Sequence, residues 1–143
     1  MKILILNGPN LNMLGIREPD VYGKESYQAL VAYIEAAASE VGADVTILQS
    51  NHEGVLVDRI QEAYGKFDAI VINAAAYTHT SVAIADALAA VALPVVEVHL
   101  SDITKREAFR HHSYITPLAR RVYMGKGFAG YRLAIRHLVL GEE

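Results

Sequence analysis

The chain has 143 residues, is 52% hydrophobic and 20% charged, and carries a formal net charge of −3 with no cysteine. That length suffices for one domain, residues 1–143, with a proper core. Its make-up excludes a disulfide frame, a thiolate nucleophile or a Cys-ligated metal, and the interspersed charges, with no basic stripe, argue against nucleic acid as the main partner.

A mean hydropathy of +0.21 is rich for so small a chain. It predicts a homo-oligomer in which copies share apolar surface. The amino terminus runs straight into a strand, without a charged leader and cleavage site, so no secretion signal is expected and the cytoplasm is the default. The most apolar run, Ser81 to Val98, is interrupted by Asp86, Pro94 and Glu97, so no membrane span is expected.

Lys2 to Leu6 is a short apolar run that reads as a buried parallel strand. Asn7 to Gly23 follows, seventeen residues with three Gly and two Pro, and carries Asn10, Arg17 and Tyr22. Loops of that length in compact domains are usually binding loops or lids. Ser26 to Val41 is helical: Leu30, Ile34, Ala37 and Val41 share a face, Ser26 is the N-cap and Gly42 the stop. Asp44 to Leu48 is the second strand. Glu53 to Tyr64 is the second helix, with Leu56, Val57, Ile60 and Tyr64 on one face.

Asp68 to Ile72 is the third strand and ends in Asn73-Ala-Ala-Ala-Tyr77-Thr78-His79-Thr80-Ser81. A third helix runs to about Val91, capped by Thr80 or Ser81. Pro94 to His99 is the fourth strand. A less regular charged segment follows, with Arg106, Arg110, His111 and His112. Arg121 to Met124 is a fifth strand, and Gly125-Lys126-Gly127 leads into a last helix whose buried face is Tyr131, Ala134, Ile135 and Leu138.

The β-α alternation, five times over, predicts an α/β fold. It is a flavodoxin-like three-layer α/β/α arrangement on a five-stranded parallel sheet of order 2-1-3-4-5. In such sheets ligands sit outside the carboxyl ends of the strands, at the switch point. Here that point lies between strands one and three, so the loops after strands one, three and four should converge on one rim.

Several uses of this fold are disfavoured. The Walker phosphate loop and GxGxxG are absent, and strand three ends in Asn73 rather than the Asp of a receiver domain. His79, His99, His111 and His112 could meet, but HxxEH and HExxH are absent and no metal is expected.

Acid–base chemistry by side chains remains. Glu97 and His99 are two apart on a strand and point to the same face. A carboxylate there fixes the imidazole tautomer and favours imidazolium, a competent general acid. The alternative is a hydrogen-bonded core histidine; the strand's carboxyl end favours function. A guanidinium such as Arg17 near Tyr22 favours phenolate. Lowering a Tyr pKa by two to three units takes roughly 3–4 kcal/mol. Tyr22 is either a general base or a packing residue of the loop, and spacing alone does not choose. Asp86 is the one charge on a helix apolar almost all round. It needs a partner, either a cation or ligand hydroxyls. Leu100 and Ser101 can offer free backbone N–H groups to a carboxylate.

Five segments, NGPNLNMLGIREPDVYG, QSNHEGVLVDRIQ, NAAAYTHTSVAIADAL, PVVEVHLSDITKREAFRHHSYI and GKGFAGYRLAI, run in order over nearly the whole chain. Together they resemble the type II 3-dehydroquinate dehydratases. The resemblance implies anti elimination of water from 3-dehydroquinate to 3-dehydroshikimate through an enolate, in the shikimate pathway, without metal, Schiff base or cofactor. Tyr22 would be the base, with Arg17 lowering its pKa. Asn10 would hold the enolate oxygen. His99 would be the acid, supported by Glu97. Asn73, His79, Asp86, Leu100, Ser101 and Arg110 would bind substrate. The family assembles as trimers grouped into a homododecamer.

The resemblance also makes Asn7 to Asn12 the floor of the site and Arg17 to Tyr22 its lid. Asp102 stands where Asn is expected and adds a negative charge near an anionic substrate. Arg121 replaces a small Gly, and Ala74 and Ala75 stand where Pro and Gly are frequent. Two other readings remain: a non-catalytic flavodoxin-like module binding a small polyhydroxy acid or nucleotide, and a related lyase for another cyclic hydroxy-ketoacid.

Overall fold

Lys2–Asn7 forms strand β1, and all of it but Lys2 is buried. Such a run, apolar on both faces, needs helices above and below it. In the computed structural model, which describes residues 1–16 and 25–143, it has them. The other strands are β2 (Asp44–Gln49), β3 (Ala69–Asn73), β4 (Val95–His99) and β5 (Arg121–Met124). All neighbours are parallel and the order is 2-1-3-4-5.

Among the described residues four α-helices complete the layers: α1 (Tyr27–Glu40), α2 (Glu53–Glu62), α3 (Val82–Val91) and α4 (Ala129–Leu140). On one face Ile3, Ile5, Val71, Val96 and Val98 pack with Leu30 and Ile34 of α1 and Tyr131, Ala134 and Ile135 of α4. On the other, Leu4, Leu6, Ile70 and Ile72 pack with Leu56 and Ile60 of α2 and Ile84 and Leu88 of α3.

Local signals set most helix ends. Ser26 Oγ accepts the Ala29 N–H at 3.1 Å, and Ser81 Oγ accepts the Ile84 N–H at 2.9 Å. The turns at the amino ends of the strands are short and use left-handed residues: Gly42, Gly65 and Ala92. Two expectations change. The second helix ends at Glu62, because Ala63–Gly65 turns back, and Tyr64 lies outside it, 71% exposed. The fourth connection holds no α-helix; three 3-10 turns, Ile103–Lys105, Ala108–Arg110 and Thr116–Leu118, bridge β4 to β5. Among the described residues no helix is long and apolar enough to cross a membrane.

The switch point has a tight contact at its centre. Gly8 donates its N–H to the Asn73 carbonyl at 2.8 Å. A Cβ at Gly8 would sit 2.3 Å from the Ala74 carbonyl oxygen, so only glycine lets the two backbones meet there.

Candidate active site

The carboxyl ends of β1, β3 and β4 enclose a cavity lined by Asn10, Asn73, Ala75, Ala76, His99, Leu100, Ser101, Arg106 and Arg110, with Leu11, Met13, Leu14 and Ile103 as apolar wall. Two guanidinium groups on so small a rim suit an anionic ligand.

Glu97 and His99 share a face of β4 and touch, His99 Nε2 meeting Glu97 Oε2. Glu97 is fully buried and His99 is 4% exposed. Thr116 Oγ1 donates to Glu97 Oε1 at 2.6 Å, and Ser113 Oγ donates to Oε2 at 2.7 Å. Thr78 Oγ1 lies 3.2 Å from the same oxygen and 2.7 Å from Ser113 Oγ. Burial alone pushes the Glu97 carboxyl up. The His99 imidazole and the Thr116 and Ser113 hydroxyls outweigh it and hold the carboxyl below its ordinary value. An ionised Glu97 only accepts, so His99 carries its proton on Nε2 and turns Nδ1 to the other side.

The floor is pinned from β2. Gln49 Nε2 lies 3.1 Å from the Gly8 carbonyl oxygen and 3.3 Å from Asn12 Oδ1. Asn51 Oδ1 accepts the Asn10 N–H at 3.0 Å, and the Asn51 carbonyl accepts the Tyr77 hydroxyl at 2.8 Å. Asn10 has φ 69°, a left-handed conformation that Asn tolerates well.

After β4 the backbone N–H groups of Leu100 and Ser101 make no hydrogen bond to another described residue. Arg106 reaches Ser101 Oγ at 3.4 Å. Arg110 Nε lies 3.3 and 3.2 Å from the two Glu107 oxygens.

A family model, Dehydroquinase class II, matches residues 1–139. The chain belongs to the class II dehydroquinase family. A 3-dehydroquinate dehydratase of a Nostoc species is 56% identical over 139 residues, covering 97% of this chain and 95% of that protein. A catabolic 3-dehydroquinase of Aspergillus flavus is 53% identical over 135 residues, covering 94% and 90%. The crystal structure of a type II dehydroquinase from Butyrivibrio crossotus superposes with a TM-score of 0.94 at 50% identity, covering 96% of this chain and 97% of that one.

In this dehydroquinase, then, six of the eleven residues named from sequence, Asn10, Asn73, His99, Leu100, Ser101 and Arg110, line one cavity. Glu97 stands behind His99. His79 lies beside the cavity rather than on its wall, and its Nδ1–H donates to the His112 carbonyl at 2.8 Å. Burial first, then the His99 and Arg110 charges, hold its imidazole below the ordinary value against that bond and Glu97, so at neutral pH its Nε2 is a lone-pair acceptor. Asp86 is exposed on the outward face of α3 and is not part of the wall. Tyr22 and Arg17 lie outside the described residues.

Asp102 is also off the wall. Its carboxylate accepts the Thr104 hydroxyl at 2.6 Å and N–H at 3.0 Å, capping the turn after β4, and these bonds hold it below its ordinary value. Arg121 pairs with Glu143 at 2.7 Å, at the sheet edge. The four histidines do not form a cluster: His111 Nε2 donates to the Arg106 carbonyl and His112 packs edge-on against Tyr114.

Sequence reasoning passed over Thr78, Ser113 and Thr116, the hydroxyls around Glu97, and Arg106 on the wall. The signal available was that Thr78 and Ser113 lie inside the segments already singled out. The cage gives a testable consequence. Because the folded carboxyl titrates below the unfolded value of about 4.3, its stabilisation is complete above that pH. It is lost as pH falls through that value toward the depressed one. Glu97→Gln is expected to lower the unfolding free energy measured in urea at pH 7 by about 1.5–3 kcal/mol, for lost bonds to a charged group, and to flatten the acid side of the pH–stability curve. Equal acid slopes for the two proteins would remove Glu97 as the source.

Proposed function

We propose that this class II dehydroquinase eliminates water from 3-dehydroquinate to give 3-dehydroshikimate, a shikimate-pathway step toward chorismate and the aromatic amino acids. The observation that carries the mechanism is the buried Glu97–His99 pair at the end of β4, with Nδ1 of His99 left for the substrate side. Tyr22, its phenolate favoured by Arg17, takes the proton alpha to the ketone. The electron pair moves onto the ketone oxygen, and Asn10 holds that enolate oxygen. The enolate then collapses, the C–O bond breaks anti to the lost proton, and imidazolium His99 gives its Nδ1 proton to the departing hydroxyl. Glu97 stabilises the imidazolium at the other nitrogen.

Binding follows from the same wall. The N–H groups of Leu100 and Ser101, which bond to no other described residue, receive the substrate carboxylate. Arg110 adds charge to the same anion site. Asn73 and His79 take substrate oxygens and hydroxyls. The reaction as written needs no cofactor or metal, because each proton has a side-chain donor or acceptor.

The oligomer, a homododecamer built as a tetramer of trimers, and a cytoplasmic location complete the reading. The outward face of α3 supports association: Val82, Ala83, Ala89 and Ala90 are exposed there. Asp86 shares that face, so any contact it makes with substrate crosses between copies. The test is purified protein with 3-dehydroquinate and nothing added. Absorbance of the new enone is expected to rise; binding without turnover would favour a non-catalytic module, and turnover of a different cyclic hydroxy-ketoacid in a substrate panel a related lyase.

A further inference from the structure

Behind the cavity wall runs a buried polar chain of which the reaction as written uses only Asn73. The Ala75 N–H donates to Asn73 Oδ1 at 3.1 Å. A backbone N–H only donates, so this bond fixes the Asn73 amide with its oxygen toward the turn. Asn73 Nδ2 then donates to the Tyr131 hydroxyl at 3.0 Å. That hydroxyl has one proton, and it goes to Asn7 Oδ1 at 2.7 Å. Asn7 Nδ2 in turn donates to the Tyr27 hydroxyl at 3.3 Å. The direction of every bond thus follows from one peptide group.

The three central members are buried, Asn7 and Tyr131 fully and Asn73 to within 3%. Burial first, then the neighbouring Tyr27, pushes the Tyr131 hydroxyl up against the Asn73 bond, so it stays protonated. A buried network with each member paired holds its side chains rigidly. Nδ2 of Asn73 has a second hydrogen, which no bond to a described residue uses, and Asn73 lines the cavity.

We propose that Tyr131 is a positioning residue: its hydroxyl anchors the Asn73 amide so that an N–H, and not the amide oxygen, faces the substrate. This rests on the reading of the cavity as the 3-dehydroquinate site. Without the hydroxyl, Asn73 keeps only the Ala75 anchor. Its buried Nδ2 loses its acceptor and the amide turns to recover one.

The experiment is steady-state kinetics of Tyr131→Phe, Asn73→Ala and the double variant. Tyr131→Phe is expected to raise KM about tenfold with kcat within about threefold, because the lost contact is made to substrate and transition state alike. The double variant is expected to be no worse than Asn73→Ala alone. Independent effects on kcat/KM that multiply in the double variant would overturn the proposal, as would a fall in active protein with KM unchanged. If Tyr131→Phe does not fold, Asn73→Asp decides. It keeps an acceptor for Ala75 but puts a lone pair where the N–H stood, and KM should rise at least about tenfold. A KM within about threefold of wild type would overturn the proposal. Wild type with no turnover would overturn the functional reading and this one together; turnover with multiplying variants would overturn only this one.

Discussion

Tyr22→Phe is expected to lower kcat by about 10³-fold or more, the upper range for removing a general base. The substitution deletes one oxygen and leaves the ring, so the fold should be unaffected. The variant should also lose the first half-reaction. In deuterated buffer, wild type should exchange the proton alpha to the ketone, while Tyr22→Phe should leave it in place, as followed by proton NMR of 3-dehydroquinate. A variant with near-normal turnover would remove Tyr22 as the base. In the proposed mechanism Arg17 would serve the same step by favouring the phenolate, and its loss should act through the acid limb of the rate profile.

The second expected result is the complement of the first. His99→Ala should cut kcat by about 10²-fold or more. It should nevertheless spare alpha-proton exchange, because the enolate still forms and returns. Only the departure of the hydroxyl lacks its proton. This split follows from the geometry of β4, where His99 is held by Glu97 through Nε2 and offers only Nδ1 to the cavity. Retention of near-normal kcat would remove His99 as the acid, and loss of exchange together with turnover would give it a role in the first step instead.

The parts of the structure legible in sequence were those written in local patterns. Lys2 to Leu6 and Asp68 to Ile72 read as strands because both faces are apolar, and Ile3 to Leu6 and Ala69 to Ile72 within them are buried. Ser26 read as one cap, and Thr80 or Ser81 as another, from the residue type and the helical run after them; Ser26 and Ser81 each accept an N–H three residues on. The pairing of Glu97 with His99 was legible because a strand repeats every two residues.

Less legible were features set by distant partners. Thr78, Ser113 and Thr116 meet Glu97 across 16 to 19 residues, a separation no periodicity encodes. Asn73 finds Tyr131 58 residues away. Tyr64 fitted the apolar face of α2 by spacing, yet the turn to Gly65 releases it to solvent. Asp86 looked like a ligand-binding charge on an apolar helix, and the fold sends it outward from its own cavity. Sequence placed the helix, but the packing of Ile84 and Leu88 against the sheet chose which side faced out.

The tight left-handed turns at Gly42, Gly65 and Ala92 have a consequence for how such a molecule can be altered. They return the chain at the end of the sheet away from the cavity, and a Cβ at Gly42 or Gly65 would meet nothing within 4 Å. Peptide tags, reporter groups or new chain ends placed there would ride on the far side of a rigid sheet from the chemistry. The opposite end behaves differently. There Gly8 rests against Ala74, and the loops after three strands share one wall, so lengthening any of them rearranges its neighbours. The same fold is therefore permissive as a carrier at one end and exacting as a catalyst at the other.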